Sequence, residues 1–418
     1  MRVTSFGLRC LVVAALVASS ALTWAQAMTS EQKKTVLDGM NETITKSAFV
    51  PGVDFSKWPE FLGRHQEAID KAEDVNQFSA AVNRALREFG FSHIRLLTPR
   101  ANTNRRTTTR KGIGITATPA QDGGLQVRAM AESGPAKEAG LEIGDIILTV
   151  NGAKAEKAEQ LEGELGEKRA LEIKKANGET KNLEVEIKNF SSVRKETLTW
   201  VDEETAVLRV FTFANGYDRN NIEALVKEAN GKAKRLIIDL RSNGGGAVVN
   251  MNHLISLMIP ANTEYGTFVN RKMANDWQAA NPDAQIEVAA IGAWAPNKYK
   301  TRQVKDFKPF DGKIAVLINR GSGSASEITA CALREKGGAI LVGTRSAGAV
   351  LASVYGPLKE GFALQYPVSD YVSINGTRLE ANPLKPDVEV TASEPGKDLV
   401  VERAVEALKS AEIVKKAS

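Results

Sequence analysis

Three short apolar runs constrain this chain more than any other feature: Arg235-Leu-Ile-Ile-Asp-Leu240, Ile314-Ala-Val-Leu-Ile-Asn319 and Ala339-Ile-Leu-Val-Gly343. None alternates polar with apolar residues, so none offers a face to water, and a strand buried on both sides is the expected form. Helical spacing separates them: Ile222, Leu225, Val226 and Ala229 share one face of segment 221–230, and Glu327 to Leu333 reads as a second helix. Strand, helix, strand is a crossover unit, which makes the C-terminal half an α/β domain on a parallel or mixed sheet. Ligands of such sheets sit at the carboxyl ends of the strands. Two small-residue stretches occupy those ends. Asp239-Leu-Arg-Ser-Asn-Gly-Gly-Gly246 lets backbone come close to a ligand but lacks the Gly-Lys-Ser/Thr signature of a phosphate loop. Gly321-Ser-Gly-Ser-Ala-Ser-Glu-Ile328 places a serine hydroxyl at a helix N-terminus, where unpaired N–H groups favour developing negative charge. Without further context the same stretch is also an ordinary turn with a serine N-cap.

The 418 residues exceed one core and predict two or three domains. Arg2 and Arg9 precede an apolar run from Cys10 to Leu22, and Ala25-Gln26-Ala27 is a small-x-small site, so residues 1–27 read as a secretory leader cleaved after Ala27. A retained N-terminal anchor is the alternative. Export to the periplasm or medium is the expected localisation, with no stable membrane span after cleavage. Loss of two arginines takes the net charge from +5 to +3, and no basic face with interleaved aromatics supports nucleic-acid binding. Cys331 is then the one cysteine left, so no intramolecular disulfide forms and the side chain reads as a buried packing residue. No cofactor or metal ligand set is expected.

Residues 28–100 read as a helical region in which Phe78, Ala81, Val82, Ala85, Leu86 and Phe89 line one helix face, Gly90 stops it, and Phe91 to Leu97 begins a strand containing Ser92-His93. A histidine at such a junction is by itself more often structural than catalytic. After a polar stretch 101–111, residues 110–190 form a β module. Gly112-Ile-Gly-Ile115 opens a strand, Gly134 to Gly140 is a short helix, and Ile146-Ile-Leu-Thr-Val150 leads into an Asn151-Gly152 hairpin turn. Residues 261–310 show no clean period and read as an irregular excursion over the site. Ala363 to Tyr366 and Tyr371 to Ile374 read as separate strands, and Asp398 to Leu408 as a closing amphipathic helix.

The module 110–190 resembles a PDZ domain of bacterial proteases, most closely in Gly140-Leu-Glu-Ile-Gly-Asp-Ile-Ile-Leu-Thr-Val-Asn-Gly152. That likeness implies a peptide terminal carboxylate bound by Gly112, Ile113, Gly114 and Ile115. The PDZ module, the Asn-x-Gly-Gly segment, the Ser-x-Ser-Glu segment and Leu384-Lys-Pro-Asp-Val-Glu-Val390, in that order, resemble the C-terminal processing, or tail-specific, serine peptidases. The resemblance implies a ClpP/crotonase-like α/β core at 195–418 with Ser324 as nucleophile and an oxyanion hole from the N–H of Gly245 or its neighbours and that of Ala325. Ser322 and Ser326 are then turn and helix-entry residues. One departure stands out. The position of that family's general-base lysine is Ala349, which excludes a Ser–Lys dyad.

A second branch, typified by the core of the tricorn protease, draws its base from a Ser-His pair and orients it with a glutamate. By that likeness His93 is the base, and Ser92 and Glu380 orient it, Glu380 standing seven residues before Asp387. The implied function is an exported serine endopeptidase acting on unfolded or C-terminally presented polypeptides. The alternative is a catalytically silent peptide- or small-ligand-binding protein on the same fold. An α/β-hydrolase esterase fits poorly, since the Gly-x-Ser-x-Gly elbow is absent at Ser324.

Overall fold

The computed structural model describes residues 27–394 and 396–417. Residues 1–26 of the expected leader lie outside the described residues. The core sheet runs Thr197–Asp202, Thr205–Arg209, Arg235–Asp239, Lys313–Ile318, Ile340–Gly343, Val388–Glu389. Every neighbouring pair is parallel except the first. Leu236, Ile238, Ile314, Val316 and Ile318 enter one apolar layer with residues of helices Arg219–Lys232, Val248–Ser256 and Ala325–Gly337. Ile237, Ala315, Leu317 and Val342 enter the opposite layer, covered by Ala404 and Leu408 of helix Leu399–Ala417. Burial of both faces explains the unbroken apolar runs. With no polar face to set the register, charged residues hold the strand ends: Asp239 pairs with Arg209 and Arg241 at the site end, and Arg235 bonds Thr205 Oγ1 at 2.8 Å at the other.

A second sheet is built on the eleven-residue strand Ala363–Ser373. Its first half pairs with Arg95–Leu97 and with Ala352–Pro357, and its second half with Glu264–Asn270. Two expectations are corrected here. The strand is continuous, because Ser369 and Asp370, which broke the apolar rhythm, are themselves buried, Asp370 paired with Arg378 at 2.7 Å. Residues 261–310 are not irregular: they hold strand Glu264–Asn270, helices Arg271–Ala280 and Val288–Trp294, and strand Tyr299–Lys300.

The N-terminal helices Ser30–Ser47, Trp58–Gly63, Gln66–Lys71 and Val75–Glu88 enclose Val36, Met40, Trp58, Phe78 and Leu86. Leu351, Phe362 and Leu364 of the second sheet belong to the same cluster, so the bundle is docked by shared apolar burial. Asp74 caps the last helix, accepting from the Asn76 and Gln77 N–H groups, and Gly90 ends it at φ +91°. Ser92 and His93 form a turn rather than the expected strand, which is only Arg95–Leu97.

The β module is an insertion. Strands Thr109–Gly112 and Lys188–Ser191 form an antiparallel ribbon through which the chain enters and leaves it. Ile115–Pro119, Leu125–Met130, Ile146–Val150, Lys168–Lys174 and Thr180–Glu186 make its sheet in that order, with Ala153–Lys154 closing the hairpin at Asn151 and Gly152, both at positive φ. Its buried cluster draws only on residues from Ile113 to Ile187. No helix among the described residues is long and apolar enough to cross a membrane.

Candidate active site

The turn after strand Lys313–Ile318 separates its three serines by burial. Ser322 and Ser326 are fully buried and donate to the Leu240 and Asn243 carbonyls at 2.9 and 2.8 Å, lacing this turn to the Gly-rich one beside it. Ser324 is half-buried at the N-cap of Ala325–Gly337 with φ +54°, a left-handed backbone that is strained for a residue with a Cβ. Gly245 packs against it. A Cβ at 245 would sit 2.7 Å from Ser324 Cβ, so only glycine lets the two turns close together.

Two buried carboxylates hold the site through one loop, residues 346–350. Glu327, in the first turn of the Ser324 helix, accepts from Ser346 Oγ (2.5 Å), Gly348 N–H (2.8 Å), Ala349 N–H (3.0 Å) and Ser324 N–H (3.2 Å). Burial raises its pKa, and these four donors oppose the rise. Glu380 accepts from Val350 N–H (2.7 Å), Ser92 N–H (3.0 Å) and Ser92 Oγ (2.8 Å). Ala349, where the resemblance puts a lysine, instead accepts the Ser324 N–H through its carbonyl at 2.8 Å.

Ser92 Oγ also lies 2.7 Å from His93 Nδ1. Its single proton is directed to Glu380, so its oxygen receives the Nδ1–H. That places the imidazole proton on Nδ1 and leaves the Nε2 lone pair available. Burial lowers the His93 pKa, the Glu380 charge opposes this, and Arg95 reinforces it, so the ring is neutral near pH 7. Of the other two histidines, His253 is engaged by Tyr217 and Glu223 at 2.9 and 3.0 Å, and His65 lies 2.9 Å from Glu88. Only His93 lines the cleft of about 820 Å³ that also exposes Ser324, Gly246, Ala325 and Ala349. Among the described residues no hydrogen bond joins His93 to Ser324; they meet across this cleft.

The expected oxyanion donors are placed differently from one another. Ala325 N–H, at the helix start, has no acceptor among the described residues, whereas Gly245 N–H donates to Asn243 Oδ1 at 3.0 Å. Gly246 is the neighbour to consider beside it. The bridge to Phe213 uses the Gly245 carbonyl and the Ala247 N–H, leaving the Gly246 N–H between them facing the other way and without a partner among the described residues. In the inserted module, the Ile113 and Gly114 carbonyls are tied to the Ala136 and Ala131 N–H groups, while their own N–H groups take no partner among the described residues. Ile115 begins the edge strand and Gly112 stands in the ribbon opposite Lys188. Cys331 is buried, its thiol pushed up to about 12 by burial.

Comparison with known proteins agrees with this architecture. Residues 204–390 match the model of peptidase family S41, and residues 111–187 that of the PDZ domain. A carboxy-terminal-processing protease of Bartonella bacilliformis is 28% identical over 297 residues, 68% of this chain and 62% of its own length. The chain thus spans less than two thirds of that relative. Two solved structures share the fold. The tricorn protease has TM-score 0.51 and 16% identity, covering 90% of this chain and 37% of that one. A lipoprotein from Streptococcus agalactiae has TM-score 0.50 and 14% identity, covering 90% and 96%.

Proposed function

We propose, for a chain that carries a peptidase family S41 domain at 204–390 and a PDZ domain at 111–187, the hydrolysis of peptide bonds by Ser324 with His93 as general base. The observation that carries this reading is the relay from His93 Nδ1 through Ser92 Oγ to Glu380, which leaves Nε2 as acceptor on a cleft shared with Ser324. As Ser324 Oγ attacks the scissile carbonyl, His93 Nε2 takes its proton. The tetrahedral oxyanion is met by the Ala325 and Gly246 N–H groups. Collapse expels the amine, which receives the proton from His93, and a water then attacks the acyl-enzyme by the same route. Each oxyanion donor contributes about 3–4 kcal/mol in comparable sites.

Substrates on this reading are polypeptides, delivered through free C-termini: the unpartnered N–H groups of Ile113 and Gly114 suit a carboxylate, and the edge strand Ile115–Pro119 suits strand addition. On this reading the leader expected at 1–27 exports the protein from the cytoplasm. A fluorophosphonate probe tests the catalytic part. Wild-type labelling should vanish in Ser324→Ala and slow by about 10²–10⁴-fold in His93→Ala. No labelling of the wild type between about pH 6 and 9, bracketing a free imidazole, would instead identify a silent binding protein.

A further inference from the structure

The cleft around Ser324 and His93 is lined by three arginines, Arg95, Arg105 and Arg110, and by no acidic side chain. Some arginines elsewhere pair with carboxylates, as Arg100 does with Glu162, Arg209 with Asp239, Arg241 with Asp398 and Arg378 with Asp370, and others, such as Arg128 and Arg219, bond Thr118 and Asn250 instead. The three in the cleft have no carboxylate partner among the described residues. Arg95 Nε donates to Gln365 Oε1 at 2.9 Å. Arg105 Nε donates to Asn102 Oδ1 at 3.1 Å while its guanidinium lies 4.1 Å over the Tyr355 ring. Arg110 reaches only the backbone carbonyls of Thr107 and Thr109. A guanidinium has five N–H donors and matches a carboxylate bidentately, and one held flat on an aromatic ring loses little freedom in doing so. Arg105 and Arg110 also lie on the segment that leads into the inserted module.

The cleft also has an apolar part. Val248, Met251, Phe268, Ile328 and Val350 line it beside Ala325. We propose that the cleft selects polypeptide segments with an apolar residue next to the bond at Ser324 and a carboxylate further along, bound by Arg105 and Arg110. The carboxylate is that of an Asp or Glu side chain or of the substrate's own C-terminus. The apolar preference rests on the hydrolytic reading above; the carboxylate preference does not need turnover.

The test is therefore a binding measurement on full-length Ser324→Ala protein, by fluorescence anisotropy of labelled peptides sharing one apolar core. Four peptides suffice: Glu, Gln or Lys at the variable position with an amidated end, and Gln with a free carboxyl end. The Glu peptide, the free-acid peptide or both should bind about tenfold more tightly than amidated Gln, the scale of a charge-assisted bond, with Lys weakest. Preference for Glu alone assigns the side chain, and preference for the free acid alone assigns the terminus. Adding Arg105→Gln and Arg110→Gln should bring the ratio to about one, as should screening by about 1 M salt. If those changes abolish binding, Arg105→Lys with Arg110→Lys should keep the order Glu over Gln over Lys. Equal affinity for all four peptides overturns the proposal. So does a preference that survives the glutamine substitutions, which would place the carboxylate elsewhere, at Arg95 or in the inserted module. Failure of the wild type to label with fluorophosphonate would sink the hydrolytic reading and leave this result standing.

Discussion

His93 carries the proposed chemistry and its pH dependence. Burial and Arg95 hold its pKa below the ordinary value, against the pull of Glu380. The neutral ring is the base, so kcat/KM should rise with pH through an apparent pKa below the free imidazole value of about 6.5 and be flat by neutrality. For stability the sign is the same: a depressed histidine contributes above its unfolded pKa, and that contribution is lost as pH falls through the folded one. Ser92→Ala removes the acceptor of the Nδ1–H. We expect kcat to drop by about 10²-fold or more with KM little changed, read from a pH–rate profile whose limb also moves. A change confined to KM would assign Ser92 to substrate binding. At this scale the sequence was informative where residue types are rare. One histidine of three stands next to a serine, and one serine in the Gly321 to Ile328 stretch remains half-buried in the cleft. It could name only Gly245 or its neighbours, since three adjacent glycines look alike until their N–H directions are known.

The loop 346–350 is the element on which the site turns. Glu327 was quoted in the Ser-x-Ser-Glu pattern and given no role; its position in the first helical turn was the available clue, because a carboxylate there meets free N–H groups. Its raised pKa means that its charged form is disfavoured by burial: as a raised carboxylate it contributes most below its unfolded pKa, and that contribution declines as pH rises through the folded one. At neutral pH the four donors are what offset this. Glu327→Gln keeps the size but turns one acceptor into a donor facing N–H groups. A loss of about 1–3 kcal/mol is expected, with a thermal midpoint lower by several degrees, since about 2–4 °C accompanies each kcal/mol in a domain of this size. Fluorophosphonate labelling should slow as well. An unchanged melt and labelling rate would show that the loop is held without Glu327. Parallel strands were legible as elements because their apolar runs are unbroken; strand Glu264–Asn270 was not, since its partner strand buries a polar Ser369 and Asp370 opposite it.

Over the whole molecule, the inserted module that matches the PDZ domain model has an apolar core of its own. Its apolar cluster uses only residues within 113–187, and Gly112 stands opposite Lys188 in the ribbon. Replacing residues 113–187 with a two-residue Asn-Gly turn should leave a protein that melts cooperatively and still labels at Ser324, with affinity for free peptide C-termini reduced; circular dichroism and anisotropy decide this. Aggregation of the excised protein would show that the module supports the core. Docking of the helical bundle could not be read from the chain, because Leu351, Phe362 and Leu364 look like any strand residues until Phe78 and Trp58 are packed near them.

The relay that orients His93 joins Ser92 to Glu380, 288 residues apart in the chain. Contacts of such separation form late in folding, after the local helices and the crossover units. A chain emerging N-terminus first therefore carries the proposed base, His93, long before the proposed nucleophile, Ser324, and both before Glu380. Until residue 380 has been made and has found Ser92, the hydroxyl of Ser324 has no oriented partner. On the proposed mechanism, the site is thus completed only when the chain is nearly finished.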